Sequence, residues 1–543
     1  MFYVKPYVKN MKRHARKLIL SVLFLSFFCF TKNSEAAEYY VAPDGNDVAS
    51  GTIVEPFKTF LPALTRAQAG DTIYARGGTY DFDNAMVRGI ARDASSAGAT
   101  SCPEGQKLTD GYCFKDAYGF ISIKDFSGWA SNHPAYSIAS GAENNPITVR
   151  NYPGETPILD LTDQRFDPGF PPNGEVFKRA VTVGLKAYWV IEGFEIMGGI
   201  VNVEGGTQSA QTHDITIKNN NIHDIACDGG DNPGIVRIDR GDWGGPYNIF
   251  IHGNKLHGIY DWEQPNQWDG VIDAQHFGAV TMLSRQSYLG FEGGGTGYIE
   301  IKNNEIYEVP QAFFFKNCTA GPVLIENNII HDCGSLGTIV ASNMHFVRNL
   351  SYNVDRGFRA MGNNSDGIMN DPRLVAIAGQ NATVEYNTFV GLDLLMSLWT
   401  GTGHTIRNNI FCGLNSRVQG ANWDTPAYIS KSEVYTDAEN VAESLLQQVT
   451  SNNNCFISPH SDFQFASRYM PSGVEHYTYT QARNIFGFDP DSLIIIRSDP
   501  QSIFVDAAQS NFHLQDPSIC PNMGYYADLD MAAPANPTGL NVS

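Results

Sequence analysis

The sequence predicts an all-β protein built as a right-handed parallel β-helix, a solenoid with three short strands in each coil. Three observations lead to this prediction. One asparagine-centred segment recurs seven times between about Ile215 and Leu414, apolar and polar residues alternate on both sides of its asparagine, and the closest copies lie 21, 22 and 24 residues apart. Around this middle we expect an N-terminal capping helix and a loop-rich C-terminal extension.

The repeated segments align on one asparagine and run from ITIKNNNIHDI to HTIRNNIFCGL. The asparagines of this column are Asn220, Asn254, Asn304, Asn328, Asn349, Asn387 and Asn409. The position three residues earlier holds Ile217, Ile251, Ile301, Ile325, Phe346, Val384 and Ile406, and the position five residues later holds Ile225, Ile259, Val309, Cys333, Val354, Leu392 and Leu414. This alternation predicts two short strands that meet at a bend, because a helix would need a period of about 3.6 residues.

A repeat unit of about 22 residues is long enough for three short strands and their turns, and it cannot bury its apolar side alone. Successive coils must therefore stack, and longer steps of 34, 38 and 50 residues predict loop insertions or an extra coil. The asparagines would then lie above one another at about 4.8 Å, where their amides can hydrogen-bond along the column. Cys333 falls at a core position, so we expect a buried thiol there.

The flanking segments predict the ends of the solenoid and the domain boundaries. A strand in YYVAPDG precedes a helix expected from about Pro56 to Ala69, which would cover the open end of the first coil. We predict a signal peptide over 1–37, the β-helix over 38–415, an extension that packs on or caps the solenoid over 416–528, and a linker-like tail over 529–543.

The N-terminus has the layout of a secretory signal. Six basic residues precede an apolar run from Leu18 to Phe30, and small residues follow, so we expect cleavage near Ala36 or Ala37 and export of the protein. The apolar run is too short to span a bilayer comfortably, and no later segment is long enough. We therefore predict a secreted protein, extracellular or periplasmic, with no membrane span.

The charge of the chain limits its partners. The formal net charge is −20, and it becomes −26 without residues 1–37, which hold seven basic residues and Glu35. Such a surface disfavours nucleic acid and anionic membranes. It also repels an acidic polysaccharide unless local basic residues or a bound cation reverse the field. We expect a monomer.

Eight of the nine cysteines lie beyond the signal segment. Cys102 and Cys113 close a short loop, CPEGQKLTDGYC, and export makes a disulfide between them plausible. The other cysteines are scattered without the spacing of a zinc site.

The opening of the chain, YYVAPDGND followed by PFKTFLPAL and GDTIYARGGTY, resembles the right-handed β-helix proteins of the pectate-lyase-like superfamily. It is most similar to the calcium-dependent lyases of polysaccharide lyase family nine, and the Asn-rich coils extend the superfamily resemblance across about 38–415. The resemblance implies the fold more strongly than the activity, because lyases, epimerases, hydrolases and adhesins share this scaffold.

The strand that follows each asparagine unit is where a polymer would bind. Strand alternation puts Phe314 and Lys316 outward in AFFFKN, Arg237 outward in GIVRID and Arg359 outward in GFRAM. We therefore predict that Arg237, Lys316 and Arg359 share one face, with Lys316 and Arg359 about 10 Å apart over two coil steps. Three cations on a chain this acidic suggest an anionic substrate, and scattered solvated basic residues are an equally weighted alternative.

The resemblance assigns roles to some of these residues. It implies Ca²⁺ held by clustered aspartates and a lysine base, and FFFKNCTAG resembles the segment that carries that base, which makes Lys316 the candidate base. Arg237 and Arg359, which alternation puts on the same face, are the other candidate catalytic residues. The candidate calcium ligands are Asp228 and Asp231 in CDGGDN, and then Asp269 and Asp273 in WDGVIDAQH. Asp239 and Asp242 add carboxylates nearby.

Two points leave the metal prediction open. The family has two adjacent aspartates where this chain has Cys227 followed by Asp228. Asp-Gly pairs are also ordinary turn formers, so turns without a metal explain them equally simply.

Further residues are candidates for the rim of the groove. Phe314 and Trp399 offer rings on which a sugar can stack, and His276 and Arg285 lie in the irregular stretch between two repeat units. The outward column of His223, His257, Tyr307, His331 and Tyr352 is explained by stacked rings rather than by chemistry.

The leading hypothesis is an exported lyase that cleaves a uronate-containing polysaccharide by calcium-assisted β-elimination. A glycoside hydrolase on the same scaffold is an alternative, in which Asp239 would act with Asp269 or Asp273. A C5-epimerase, which shares proton abstraction at C5, and a non-catalytic carbohydrate-binding or surface protein are the others.

Overall fold

The computed structural model describes residues 36–81, 87–93, 107–109, 112–125, 135–162, 179–205, 211–227, 234–239, 245–261, 278–283, 297–316, 322–339, 341–361, 380–392, 394–398, 403–413, 427–432, 449–461, 463–470 and 473–527. These residues form a right-handed parallel β-helix, as the repeat predicts. The coils lie in one compact unit that begins at Glu38.

The first stack of strands is a 12-stranded parallel sheet. In spatial order its strands are Glu38–Val41, Thr72–Ala75, Ile147–Asn151, Ala187–Glu192, His213–Lys218, Tyr247–His252, Ile299–Lys302, Val323–Glu326, Met344–Val347, Thr383–Glu385, His404–Arg407 and Val449–Asn452. From His213–Lys218 onward, each strand leads into the asparagine bend.

The second stack begins directly after the bend. Its strands are Gly78–Tyr80, Pro157–Asp160, Glu195–Met197, Asn221–His223, Lys255–His257, Glu305–Val309, Ile329–Ile339, Leu350–Met361, Thr388–Val390, Ile410–Cys412, Cys455–Ser458 and Leu493–Ile496. Two of them, Ile329–Ile339 and Leu350–Met361, are long enough to run on into the third stack, so the two stacks join as one 22-stranded sheet.

The third stack bears the candidate site. Besides the two long strands it contains Ile121–Ile123, Arg179–Gly184, Ile200–Glu204, Gly234–Ile238, Gly278–Leu283, Gln311–Lys316, Leu394–Leu398, Ala427–Ser432 and Gln464–Met470, and it ends with the antiparallel strand Gly473–Thr478.

Smaller elements lie beside these stacks. The strands Ile225–Cys227 and Ile259–Asp261 pair in parallel, Val87–Asp93, Tyr112–Gly119 and Lys107–Thr109 form an antiparallel sheet, and Phe504–Asp506 pairs with Asn511–Leu514. Among the described residues, the helices are Leu61–Arg66 and Tyr479–Phe486, with short 3₁₀ turns at Pro500–Ile503 and Ala507–Gln509.

The asparagine column is a continuous hydrogen-bonded ladder. Asn328 illustrates it: its Oδ1 accepts from the backbone N–H of Asn304 at 2.9 Å and from the Asn304 amide at 3.0 Å. Its own Nδ2 donates to the Ile301 carbonyl at 2.9 Å and to Asn349 Oδ1 at 2.9 Å. These buried amides therefore satisfy both themselves and the backbone of the bend.

Left-handed backbone explains why the residue before each ladder asparagine is so often asparagine or glycine. That residue has a positive φ in successive coils: Asn219, Gly253, Asn303, Asn327, Arg348, Tyr386, Asn408 and Asn453. Asparagine and glycine tolerate this region at little cost, whereas Arg348 and Tyr386 adopt it with strain.

The interior confirms the predicted alternation. The described apolar residues on both sides of the ladder are buried, including Cys333, which is 1 % exposed as the repeat predicts. Aromatic rings also stack along the axis, with Phe389 and Phe411 at 5.1 Å and Phe411 and Phe456 at 5.2 Å between centroids.

The N-terminal cap is present but shorter than predicted. The helix spans Leu61–Arg66 instead of Pro56 to Ala69, because Ala67 already has an extended backbone. Phe60 and Leu64 are buried in the core, and the Phe60 ring lies 5.4 Å from that of Tyr80. The first coil is thereby covered, as a solenoid end requires.

The coil continues past the boundary that we predicted at residue 415. Asn454 adds an eighth rung, since its Oδ1 accepts from the Asn409 N–H at 3.1 Å, and Leu493–Ile496 still pairs in parallel with Cys455–Ser458. Asp489 and Ser492 end the ladder by accepting from the Asn454 side chain and backbone.

The last described segment packs along the second stack. Phe512 lies 4.9 Å from the Tyr352 ring, and Tyr525 N–H donates to Thr388 Oγ1 at 3.0 Å. A disulfide joins Cys455 to Cys520, 65 residues apart, which the sequence analysis did not foresee. The predicted Cys102–Cys113 pair lies outside the residues whose side chains the structure describes.

In the described ranges, no helix is long and apolar enough to cross a membrane.

The burial of His404 leads us to expect that the stability of the fold decreases at acidic pH. Its Nδ1 accepts from the Ala382 N–H at 3.3 Å, and burial lowers the pKa of His404 to about 4. An unfolded histidine has a pKa of about 6.5, so the unfolded chain takes up the proton first and stability is lost as the pH falls from about 6.5 towards about 4. We expect this residue alone to remove about 2 kcal/mol of unfolding free energy between pH 7 and pH 5.

Urea unfolding at pH 7, 6 and 5 measures this loss, with His404→Gln as the comparison. The variant should lose about 2 kcal/mol less than the wild type over the same interval, whatever its absolute stability. Equal losses in the two proteins would contradict the assignment.

Candidate functional site

The candidate site lies on the outer side of the third stack, where strand register brings residues from successive coils into columns. One column contains Asn202, Arg237, Thr281, Phe314 and Thr338. The parallel column two residues further along includes Gly184 and Glu204, and then Asp239, Leu283 and Lys316.

Arg237 faces away from the core, as predicted. Its neighbours Val236 and Ile238 are buried in the core, while its guanidinium Nη2 lies 3.4 Å from Asp239 Oδ2. The side chain is only 8 % exposed. Arg237 is thus held by a carboxylate beside the candidate site, and Asp239 serves as its ion-pair partner.

Lys316 is the last residue of the strand Gln311–Lys316 and stands in register with Leu283. The structure describes its backbone position. Phe313 and Phe315 of the same strand are buried in the core, as the alternation predicts, and this places residue 316 in the outer column.

Phe314 requires a correction. From the sequence we predict an exposed ring for sugar stacking, but Phe314 is only 2 % exposed. Alternation was right about its side of the strand, since Phe314 is absent from the core cluster that holds Phe313 and Phe315. Its backbone and Cβ approach Gly278 so closely that a Cβ on that glycine would lie 2.7–2.8 Å from them. The Phe314 ring is therefore packed within the protein and is not exposed for a sugar to stack on.

Arg359 also departs from the predicted regularity. Phe358 is opposite Gly337 and Ala360 is opposite Thr338, so Arg359 is the extra residue of a β-bulge. Gly337 has a φ of 136°, and a Cβ there would lie 1.8 Å from the Phe313 carbonyl oxygen. The predicted separation of about 10 Å between Lys316 and Arg359 assumes two regular coil steps, and this bulge interrupts the register between them. That the two residues share one face therefore stays a prediction.

The remaining predicted site residues lie outside the described residues: Asp228, Asp231, Asp269, Asp273, His276, Arg285 and Trp399. The described ends of their segments are informative. Cys227 is in register with Asp261, and Gly234 is in register with Gly278. The segments 228–233 and 262–277 therefore leave and re-enter successive coils at matching positions.

In the part of the chain that the structure describes, no three His, Cys, Asp or Glu side chains are grouped to hold a metal ion. The carboxylates at 228, 231, 269 and 273 are hard oxygen donors, which suit Ca²⁺.

The histidine and tyrosine column on the second stack is a stack of rings, in agreement with the sequence analysis. Successive centroids lie 5.0, 4.3, 4.9 and 4.9 Å apart from His223 through His257, Tyr307 and His331 to Tyr352. Burial lowers the pKa of His257 to about 4. Although burial opposes it, hydrogen bonds to Glu305 and Asp332 hold the pKa of His331 above its usual value.

A charged cluster that the sequence does not reveal lies at the N-terminal end of the same face. Glu204 is bound by Lys124, and by Arg179 at 2.8 Å. Although burial opposes ionisation, these two cations hold the pKa of Glu204 below its usual value. A Cβ on Gly184 would lie 2.9 Å from Glu204 Oε2 and 3.4 Å from the Lys124 side chain, so only glycine leaves room for this contact across the intervening coil.

Comparison with known proteins supports the resemblance seen in the sequence. Residues 39–284, somewhat less than half of the chain, match a family model described as Pel9A-like, right-handed beta helix region. A curated relative, pectate lyase PEL9 of Emericella nidulans, is 56 % identical over 45 residues, which are 8 % of this chain and 11 % of that protein. The chain thus matches about a tenth of the relative's length.

Solved structures with related shapes include pectate lyase Pel9A, with a TM-score of 0.38 and 15 % identity over 69 % of this chain and 76 % of that one. Alginate lyase from Paenibacillus sp. str. FPU-7 has a TM-score of 0.38 and 12 % identity over 85 % and 99 % of the two chains. The GH136 lacto-N-biosidase from Eubacterium ramulus has a TM-score of 0.40 and 12 % identity over 85 % and 68 %. Values this low do not bear on activity.

Proposed function

We propose that this chain, whose residues 39–284 form a Pel9A-like right-handed β-helix region, is an exported lyase that cleaves a uronate-containing polysaccharide by β-elimination. The observation that carries the proposal is this match, because it covers the coils up to the strand Gly278–Leu283 and includes Arg237. The short stretch of 56 % identity to a pectate lyase supports the same class of activity.

The reaction requires a base, a means of neutralising the substrate carboxylate and a proton for the leaving oxygen. The base removes the proton from C5 of the uronate, the bond between C4 and the glycosidic oxygen breaks, and a C4=C5 double bond forms. The leaving oxygen then takes up a proton. We assign the base to Lys316, whose strand ends in the outer column beside Leu283.

A lysine acts as a base only when its pKa is lowered, and a nearby cation lowers it. We assign Arg237 and Arg359 to the binding of the substrate carboxylate near Lys316. Arg237 is held by Asp239 at 3.4 Å, so its guanidinium is positioned before substrate arrives. His276, Arg285 and Trp399, from segments that border the same stack in the sequence, complete the proposed substrate contacts.

Asp228, Asp231, Asp269 and Asp273 would hold a Ca²⁺ ion. Such an ion supplies positive charge that neutralises the uronate carboxylate and so makes the C5 proton more acidic. The matching register of Cys227 with Asp261 and of Gly234 with Gly278 supports this assignment.

Export is part of the proposal. Residues 1–37 have the charge pattern of a secretory signal, and a polysaccharide substrate is met outside the cell. N-terminal sequencing of the mature protein should begin near Ala37 or Glu38.

A panel of anionic polysaccharides tests the function. Polygalacturonate, alginate and other uronates are incubated with the protein, with and without Ca²⁺, and the ultraviolet absorbance of the new C4=C5 double bond is followed. New reducing ends without new absorbance would identify a hydrolase instead, an exchange of the C5 hydrogen without cleavage would identify an epimerase, and binding without turnover would identify a carbohydrate-binding protein.

Removal of calcium is expected to abolish the activity, and excess Ca²⁺ should restore it, because the carboxylate of the substrate would lose its counter-ion. Asp231→Asn should raise the Ca²⁺ concentration needed for half-maximal activity by about tenfold or more, whereas Asp506→Asn, on the C-terminal segment, should leave it unchanged. Full activity in the presence of a chelator would contradict the calcium assignment and leave the lyase assignment standing.

A further inference from the structure

We propose that Asn202 is a substrate-binding residue which, with the Lys124–Glu204–Arg179 cluster, forms a subsite for a uronate ring three coils N-terminal to Lys316. The inference rests on the proposed function and extends it by assigning a second contact point for the polymer.

Asn202 is a buried amide without a partner. It lies in the strand Ile200–Glu204 between Val201 and Val203, which are both in the core, so its side chain is on the outer side of the sheet. It is 0 % exposed, and neither its Nδ2 nor its Oδ1 has a hydrogen-bond partner in the part of the chain that the structure describes. Buried polar atoms are nearly always paired, so this amide needs an explanation.

The buried asparagines of the ladder differ from Asn202 in that their amides are paired. Ladder asparagines such as Asn304 and Asn328 are equally buried, yet their side chains donate and accept in every coil. An apolar side chain at position 202 would avoid the cost of an unpaired amide. A carboxamide that is unpaired in the protein alone is suited to a ligand rich in hydroxyl and carboxylate oxygens, because it offers two donors and an acceptor.

The surroundings of Asn202 are those of a site for an anionic sugar. In register it stands between Thr182 and Arg237. Two residues further along the strand, Glu204 binds Lys124 and Arg179, whose side chains are 42 % and 30 % exposed. Two cations around one carboxylate leave one positive charge facing solvent on a chain with a net charge of −20.

The distance from Lys316 indicates the size of the occupant. The strands that carry Asn202 and Lys316 are separated by three coil steps, which correspond to about 14 Å. This is more than one sugar ring, so a single substrate reaches both places only if it is a polymer or a long oligomer.

Asn202→Leu tests the proposal, because leucine has a similar volume and removes the amide. Kinetics are measured on polygalacturonate, on long oligogalacturonates and on the shortest ones cleaved, with Asn221→Leu on the second stack as the matched control. We expect KM for the polymer and long oligomers to rise about 3- to 10-fold, with kcat within about twofold of the wild type and short substrates unaffected. The control should match the wild type on all substrates.

Asn202→Asp provides a second variant that keeps the polar character of the position. A carboxylate there would repel a uronate, so KM for the polymer should rise more than in Asn202→Leu and should fall back as salt is added. A purely structural role of Asn202 does not produce this salt dependence. If the wild type binds without cleaving, the same comparisons are made by affinity electrophoresis in polygalacturonate gels.

Unchanged KM or binding at every chain length in Asn202→Leu, together with greater stability, would overturn the inference while the proposed lyase function stands. That result would mean that Asn202 is satisfied by buried water or is simply tolerated. Absence of both binding and turnover in the wild type on the whole uronate panel would overturn the proposed function and the subsite together.

Discussion

Replacing Lys316 by alanine is expected to lower kcat on the preferred uronate polymer by about 100- to 10,000-fold, with a much smaller effect on KM. The expectation follows from its assignment as the base, since a group that acts only in the transition state contributes to kcat rather than to ground-state binding. Lys316 ends the strand Gln311–Lys316, and the core positions of Phe313 and Phe315 place residue 316 in the outer column. The measurement is the initial rate of double-bond formation at saturating substrate.

Lys316→Arg separates the base from the charge. Arginine keeps the positive charge but does not give up its proton in proteins, so a base role predicts that this variant is as inactive as the alanine variant. Lys255→Ala is the matched control, because Lys255 is an exposed lysine of the second stack that pairs with Glu305 at 3.1 Å. It should retain full activity. Near-normal activity in Lys316→Arg would show that position 316 supplies charge, and the base would have to be sought elsewhere.

The scaffold could be predicted from the sequence because its cause is local and periodic. The ladder needs an asparagine at each bend, a residue before it that tolerates positive φ, and apolar residues at fixed distances. All three features can be read directly from the amino-acid sequence. The rung at Asn454 was missed for a physical reason. Three residues before it stands Ser451, which is buried but polar, so the apolar pattern is broken there.

The site was harder to predict because alternation tells which side of a strand a residue is on, but not what covers that side. Phe314 is on the predicted side and yet is buried. The predicted position of Arg359 assumes a regular register, which a bulge beside Gly337 interrupts. The chain has 52 glycines, so a single glycine in the sequence does not indicate where a bulge occurs.

The Lys124–Glu204–Arg179 cluster could not be predicted at all, because its members are brought together by stacking of coils that lie before the repeat. Lys124 and Glu204 are 80 residues apart, and their contact depends on insertions of unknown length between the coils and on the missing side chain of Gly184. The role of Asn202 could not be predicted for a similar reason, since an unpaired amide is recognised only when the structure around it is known.

Removing one interior rung of the asparagine ladder is the largest expected change in stability. In Asn328→Ala the backbone N–H and the amide of Asn304 lose their acceptor, and the carbonyl of Ile301 loses a donor. Each buried group left unpaired costs about 1–3 kcal/mol, so we expect a loss of about 4 kcal/mol or more of the unfolding free energy. Folded domains are stable by only about 5–15 kcal/mol, so this is a large fraction of the total.

The first rung should matter less than an interior one, and this difference tests the ladder itself. Asn220 Oδ1 accepts from one backbone N–H, that of Phe194 at 3.0 Å, whereas Asn328 Oδ1 accepts from two donors of Asn304. Asn220→Ala should therefore cost about 2 kcal/mol, and Asn221→Ala, one residue along and half-buried, should cost about 1 kcal/mol or less. Chemical denaturation of the three variants gives the order. Equal losses of unfolding free energy at 220, 221 and 328 would show that the asparagine column results from coil stacking and does not stabilise it. If Asn328→Ala does not fold, Asn220→Ala and Asn221→Ala still give the comparison.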